Sequence, residues 1–259
     1  MIILLAGTLD GRIIAGQLTA DGYKVMITVV SDYGGLLAAE SGAEVLVQQL
    51  SAEELEALIR TKAANVLIDC THPYACQVTA MARIAADRTG IMYIRYERPG
   101  TPGLKQTNVY NVSSWEQAAA QAAALGDVIF LTTGSRNLAV FLQQESVRGK
   151  RVVARVLPDP EVMLLCQSAG LLPRDIIGMQ GPFSYDMNKV MFADYGAQVV
   201  VTKESGVVGG TDTKVAAAQD LGLPVVVIGR PRLEDYNVAA SYDEIRHKLV
   251  SMAVKKQDN

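Results

Sequence analysis

Metal-ligating side chains are scarce in this chain: its 259 residues include three cysteines and two histidines. Cys70, Cys76 and Cys166 form no C-x-x-C pair, so neither a zinc site nor a disulfide framework is expected. Aromatic residues are also few, at 6% of the chain, which disfavours an aromatic-rich β-sandwich. A basic excess is missing, since the formal net charge is −3. General nucleic-acid binders and binders of anionic membranes carry the opposite sign, so neither partner is expected. No apolar run reaches the ~18–20 residues of a membrane span. The start lacks the basic segment of a signal peptide. Together these absences lead one to expect a cytoplasmic, reduced, metal-free protein. They give no oligomeric signal beyond a monomer or a small homo-oligomer.

What is present is a chain that is 49% hydrophobic and 20% charged, with 22 glycines, a composition suited to helices packed on buried strands. At ~150 residues per domain, the length corresponds to about 1.7 domains. Short β-branched runs alternate with Ala-rich amphipathic stretches, the pattern of βαβ units and a parallel sheet. Strands are expected at 2–6, 24–30, 44–47, 65–70 and 92–95, with helices up to residue 20 and at 51–62 and 74–88. Ser51 followed by Glu54 has the form of a capping box. The run Arg98-Pro99-Gly100-Thr101-Pro102-Gly103 breaks the rhythm and reads as a linker. Further strands at 108–112, 128–132, 151–156, 176–179, 198–202 and 224–228 alternate with helices at 115–124, 160–168, 184–195 and 213–221. A terminal helix at 241–254 precedes a tail at 255–259 that reads as frayed. The expectation is an α/β protein of two domains, 1–98 and 99–259, with the terminal helix able to pack across both.

In open α/β sheets ligands collect beyond the carboxyl ends of the strands, so the residues after each strand are the candidates. The first strand runs into Ala6-Gly7-Thr8-Leu9-Asp10-Gly11. Small residues let a backbone approach a diphosphate, and the helix that follows aims its N-terminal amides at the anion. The complete G-x-G-x-x-G is absent, and a plain tight turn is the other reading. Ser31 and Asp32 follow the second strand, with Asp32 25 residues after Gly7. An acid at this distance accepts hydrogen bonds from ribose hydroxyls and repels a 2′-phosphate; an ordinary loop acid would look the same. Thr71-His72-Pro73-Tyr74 follows the next buried strand. His72 suits a general acid near neutral pH, or the bracing of a neighbouring loop.

Thr132-Thr133-Gly134-Ser135-Arg136 repeats the strand–Gly–helix layout in the second half. The densest cluster is Thr202-Lys203-Glu204-Ser205-Gly206, continued by Gly209 and Gly210, a donor-rich anion site. Arg95 and Arg98 close the first half and Arg230 and Arg232 the second, where guanidinium groups suit carboxylates. His247 and Lys248 read as solvent-facing residues of the terminal helix.

In series, these motifs resemble one family, the precorrin-6A reductases of cobalamin biosynthesis. The resemblance is carried by Leu5-Ala6-Gly7-Thr8, Asp69-Cys70-Thr71-His72-Pro73-Tyr74-Ala75 and Tyr93-Ile94-Arg95-Tyr96-Glu97-Arg98-Pro99. It continues through Leu131-Thr132-Thr133-Gly134-Ser135, Met179-Gln180-Gly181-Pro182-Phe183-Ser184, Thr202-Lys203-Glu204-Ser205-Gly206 and 221–231. Three positions depart from the pattern: Met81 in place of Asn, Ala6 in place of a common Gly, and Thr213 where an acid often precedes Lys214.

The resemblance implies two Rossmann-like domains with parallel sheets and a ligand cleft between them. It implies reduction of a carbon–carbon double bond of a carboxylate-rich tetrapyrrole by a nicotinamide cofactor. Gly7, Thr8, Ser31, Asp32, Thr71, Thr133 and Gly134 are then expected to bind that cofactor. Arg95, Arg136, Glu204, Gly206 and Arg230 are expected to bind the macrocycle, and Lys203, Ser205 and His72 to assist catalysis. Asp32 without an adjacent cation favours NADH over NADPH, and Tyr33-Gly34 resembles the branch that acts on cobalt-containing intermediates. Another nicotinamide-dependent reductase and a non-catalytic dinucleotide-binding sensor are the rival readings.

Overall fold

The computed structural model describes residues 1–102, 104, 106–231, 237–252 and 254. The expected tail, and with it Gly103 and Arg232, lie outside the described residues.

The first half runs β1 (Ile2–Leu5), α1 (Leu9–Ala20), β2 (Val25–Val29), α2 (Asp32–Ala39), β3 (Glu44–Val47), α3 (Ala52–Thr61), β4 (Val66–Asp69), α4 (Cys76–Thr89) and β5 (Met92–Tyr96). β1, β2 and β4 are buried at every position, as parallel strands covered on both faces must be. The alternation of side chains across the sheet divides the core into two layers. Ile3, Leu5 and Leu67 meet Leu55 and Ile59 of α3 and Ala82 and Ala85 of α4. Ile2, Leu4, Ile27 and Ile68 face the other way, toward Ile14 and Leu18 of α1. The capping box expected at Ser51 and Glu54 is formed at the start of α3.

The second half runs β6 (Val109–Val112), α5 (Trp115–Leu125), β7 (Val128–Leu131), α6 (Leu138–Leu142), β8 (Arg151–Val156), α7 (Pro160–Ser168) and β9 (Ile176–Gly178). It continues with α8 (Tyr185–Asp194), β10 (Val199–Lys203), α9 (Thr211–Asp220), β11 (Val225–Ile228), β12 (Val238–Ala239) and α10 (Tyr242–Ser251). Two all-parallel six-stranded sheets result, ordered β12-β5-β4-β1-β2-β3 and β6-β11-β10-β7-β8-β9. Strand order reverses between β1 and β4 in the first sheet and between β7 and β10 in the second. These are the two topological switch points.

The domain boundaries need a correction. One compact unit is Met1–Pro99 with Pro231–Asn259, and the other is Gly100–Arg230. The end of the chain therefore belongs with its beginning, not with 99–230. The reason is hydrogen bonding and burial. β5 would otherwise present an unpaired edge; instead the amides of Arg95 and Glu97 donate to the carbonyls of Asn237 and Ala239, at 3.0 and 2.9 Å. α10 then buries Ile245 and Leu249 in the same layer as α1. Counted in chain order, β1–β6 lay five strands in the first sheet and the sixth in the second, and β7–β12 lay five in the second and the sixth in the first. Both sixth strands lead into a helix capped by a serine, Ser114 for α5 and Ser241 for α10.

Candidate ligand sites at the two switch points

At the first switch point, Gly7 is exposed in the turn after β1, and a Cβ placed on it would meet nothing within 4 Å. Gly11, one helical turn on, is tightly packed: its Cβ would lie 3.0 Å from that of Ala6 and 3.1 Å from that of Cys70. Gly11 thus fills the role of the last glycine in G-x-G-x-x-G, close helix–strand packing, while Ala6 and Thr8 stand at the other two places. The Thr8 hydroxyl accepts from the Gly11 amide at 3.2 Å and donates to the Cys70 carbonyl at 3.1 Å. Thr8 therefore caps α1 and ties the turn after β1 to the turn after β4.

Across the switch point, Asp69 closes β4 and is fully buried. Its Oδ1 accepts from the amide and hydroxyl of Thr71 at 2.9 and 2.6 Å. Its Oδ2 accepts from the hydroxyls of Thr79 and Tyr93 at 2.7 and 2.9 Å. Arg95, its register partner on β5, completes the network at 2.7 Å and also donates to the Thr71 hydroxyl at 3.0 Å. This corrects the reading of Arg95 as a substrate-binding residue. At 0% exposure it reaches no ligand, because a guanidinium enclosed by apolar strands needs a carboxylate beside it. Arg98 is likewise buried, paired with Asp10 at 3.0 Å. The network holds the Thr71–Tyr74 turn, in which the Tyr74 amide donates to Nδ1 of His72 at 3.3 Å and the two rings lie 5.5 Å apart. Ser31 caps α2 by accepting from Gly34, and Asp32 is exposed in the first turn of that helix, not in a loop.

At the second switch point the hydroxyls of Thr133 and Thr202 are buried without a hydrogen-bond partner. Gly134 holds φ +73°, a left-handed conformation that favours glycine. Lys203 ends β10, where burial, reinforced by the exposed Arg136, lowers its ammonium pKa to about 8. The cluster after Lys203 is mostly self-bound. The Ser205 amide donates to Thr211 Oγ1 at 3.1 Å, and the two hydroxyls lie 3.2 Å apart. A Cβ on Gly209 would lie 2.2 Å from Ser205 Oγ, so only glycine fits against this serine. Ser205 thus braces the turn between β10 and α9.

Glu204 Oε1 accepts from the amide and hydroxyl of Thr101, at 2.9 and 2.8 Å, and from the Gly206 amide at 3.1 Å, while Oε2 pairs with Arg230. Burial alone would raise this carboxyl, but those donors together hold it below the usual carboxylate range. Glu204 and Arg230 therefore pair with each other. Thr101 and Arg230 lie near the two ends of the unit Gly100–Arg230, and one carboxylate of that unit engages both.

A cavity of about 250 Å³ lies at the carboxyl ends of β7, β8 and β9, walled by Thr132, Gly134, Arg155, Met179, Phe183 and Lys214 among others. The guanidinium of Arg155 lies 3.8 Å above the Phe183 ring and donates to Asn188 Oδ1 at 2.9 Å, and burial lowers its pKa to about 10. Lys214 donates to the Gly209 carbonyl at 2.9 Å. Sequence reading assigns no role to Asp69, Arg155 or Lys214. The available signal is a charge inside an apolar strand, as in Arg151-Val-Val-Ala-Arg155-Val156.

Among the described residues no group of three or more His, Cys, Asp or Glu could hold a metal ion, and no helix is long and apolar enough to cross a membrane.

Doubly wound parallel sheets with small residues, hydroxyls and cations at their switch points form a class of α/β protein suited to nucleotide ligands, and the chain holds two such sheets. The family model described as precorrin-6x reductase CbiJ/CobK matches residues 1–249, and the chain belongs to that family. It is 40% identical over 252 residues to a cobalt-precorrin-6A reductase of Priestia megaterium, covering 97% of this chain and 98% of that one. A cobalt-precorrin-6A reductase of Methanothermobacter thermautotrophicus is 38% identical over 90% of this chain and 77% of its own. A precorrin-6A reductase of Mycobacterium tuberculosis is 30% identical over 90% and 89%. The solved structure of CobK precorrin-6A reductase has the same fold, with a TM-score of 0.76 at 23% identity over 96% of both chains.

Proposed function

We propose that this protein reduces a carbon–carbon double bond of cobalt-precorrin-6A, with a reduced nicotinamide dinucleotide as co-substrate. The observation that carries the reading is the end-to-end likeness to a cobalt-precorrin-6A reductase, over 97% of one chain and 98% of the other. The turn after β1 fits a dinucleotide. Gly7 has open space beside it, Gly11 lets α1 approach β1 and β4, and the first amides of α1 face the switch point. Asp32, at the start of α2, takes the ribose hydroxyls and disfavours a 2′-phosphate, which selects NADH. The bound dinucleotide supplies the hydride; the chain orients both partners.

The macrocycle's carboxylates are met at the second switch point by Lys203, Arg136 and Arg155. The cavity there is smaller than the ~300–1,000 Å³ of a complete ligand site, so it takes one edge of the ring. The buried hydroxyls of Thr133 and Thr202 offer further donors on that side. Cobalt enters as part of the substrate and calls for no protein ligand.

The test is to incubate the pure protein with cobalt-loaded and metal-free precorrin-6A, each with NADH and with NADPH, and to follow loss of the reduced nicotinamide absorbance. Loss that depends on the cobalt macrocycle is expected, fastest with NADH. Binding without turnover would overturn the enzymatic reading. An about tenfold preference for NADPH, worth ~1.4 kcal/mol of transition-state stabilisation, would overturn the role given to Asp32.

A further inference from the structure

Adding hydride to one carbon of a double bond leaves its neighbour one proton short. The reduction proposed above, on which this inference rests, therefore needs an acid near the bound ring. Such an acid works best when it titrates near the working pH and can reach the substrate. The three groups that the sequence suggests meet these conditions poorly. Ser205 is bound to Thr211, the imidazole of His72 accepts the Tyr74 amide, and Lys203 is not among the residues that wall the cavity beside the second switch point.

Lys214 does wall that cavity. It sits in the first half of α9, whose start at Gly210 has φ +67° and no side-chain cap. From there its ammonium turns back toward the preceding loop and donates to the Gly209 carbonyl at 2.9 Å. An ammonium carries three donors, so this bond fixes the group at the cavity wall without exhausting it. We propose that Lys214 is the proton donor of the reduction, held in place by the Gly209 carbonyl.

The balance is simple. The reduced nicotinamide gives a hydride to one carbon, and an N–H bond of the Lys214 ammonium breaks as a C–H bond forms at the neighbouring carbon. The amine left behind takes a proton back from water. The surroundings suit this exchange. Burial, then the positive charges of Arg155 on β8 and Lys203 on β10, bring the pKa of Lys214 to about 7, with Asp212 on α9 opposing them. Arg155 and Lys203 also disfavour a resting second charge beside them, so the ammonium is a ready donor.

The experiment has two arms. In the first, wild-type protein is treated with trace acetic anhydride across the pH range, and acetylation of Lys214 is read by peptide mass spectrometry. A midpoint near 7 is expected; one above about 9, toward an ordinary lysine, would overturn the proposal. In the second arm, wild type, Lys214→Arg and Lys214→Met are compared in turnover of cobalt-precorrin-6A, and macrocycle binding is read from its own absorbance. Wild-type kcat should be level below about pH 7 and fall about tenfold per pH unit above it. Lys214→Arg, a permanent cation and a poor acid, should bind the macrocycle but lose about 10²–10⁴ in kcat, together with that limb of the profile. A Lys214→Arg enzyme with the wild-type kcat and profile would overturn the proposal. So would variants whose loss lay wholly in KM, which would make Lys214 an anchoring charge. Absence of macrocycle-dependent turnover in the wild type would overturn the functional reading itself, whatever the variants do.

Discussion

The Asp69–Arg95 pair supports an asymmetric prediction. Both side chains are 0% exposed, with Oδ1 and Nη1 2.7 Å apart. Nε and Nη2 of Arg95 already lack hydrogen-bond partners. Asp69→Asn removes the counter-charge and leaves a buried guanidinium uncompensated, a change that costs ~3–5 kcal/mol. Arg95→Met leaves the carboxylate, but with four donors still on it: the Thr71 amide and the hydroxyls of Thr71, Thr79 and Tyr93. Hydrogen bonds to a charged group contribute ~1.5–3 kcal/mol each, so this second variant should lose less, about 1–2 kcal/mol. At ~2–4 °C per kcal/mol, Asp69→Asn should lower Tm by roughly 6–20 °C and Arg95→Met by roughly 2–8 °C. The assay is a double-mutant cycle: urea unfolding of wild type, both single variants and the double variant, followed by circular dichroism. The double variant should be more stable than additive losses imply by at least ~2 kcal/mol, since the introduced amide then faces no orphaned charge. Additive losses, or Arg95→Met proving the more damaging change, would refute the argument.

Two glycines in one turn should behave oppositely. Gly7→Ala meets open space and should leave the melting curve unchanged while weakening NADH binding about tenfold or more in a fluorescence titration, a loss of ~1.4 kcal/mol. Gly11→Ala drives a methyl against Ala6 and Cys70 and should destabilise the fold by ~1–3 kcal/mol. The pH dependence of stability should show two signs. Glu204 is held below its unfolded value, so its stabilisation is present above the ordinary carboxylate range and is lost as pH falls through the folded value. Glu204→Gln should flatten that acid limb in urea titrations. Lys214 and Lys203 have folded values of about 7 and about 8, below those of the unfolded chain, so folding releases their protons and stability should rise with pH above 7. Lys214→Met should reduce that rise; an unchanged slope would count against the burial of its charge.

Much of the fold is legible in the sequence because parallel strands buried on both faces read as short apolar runs, and because serine caps stand where helices begin. The rule that ligands gather at carboxyl ends of strands leads to turns beside the switch points, where Gly7, Thr71, Thr133 and Lys203 lie. What the sequence hides depends on contacts made elsewhere. α2 reads as loop because Gly34 and Gly35 disfavour a helix. Yet a Cβ on Gly35 would lie 2.6 Å from Val47, so the close approach of α2 to β3 requires glycine there. β12 is two residues long and carries no periodicity; it exists because β5 offers an unpaired edge. Charge is the least legible quantity, because a sequence records a cation but not its counter-ion. Asp69 and Arg95 lie 26 residues apart and become neighbours only through the register of β4 on β5. Arg95, Arg98 and Arg230, expected to meet a carboxylate-rich ligand, are instead engaged by Asp69, Asp10 and Glu204. The cations that wall the cavity are Arg155 and Lys214, from a mid-strand position and a helix interior. An acid paired with the cation marks the difference. A cation with a buried acid against it is part of the scaffold, whereas burial lowers the pKa of Arg155 and Lys214 at the cavity wall.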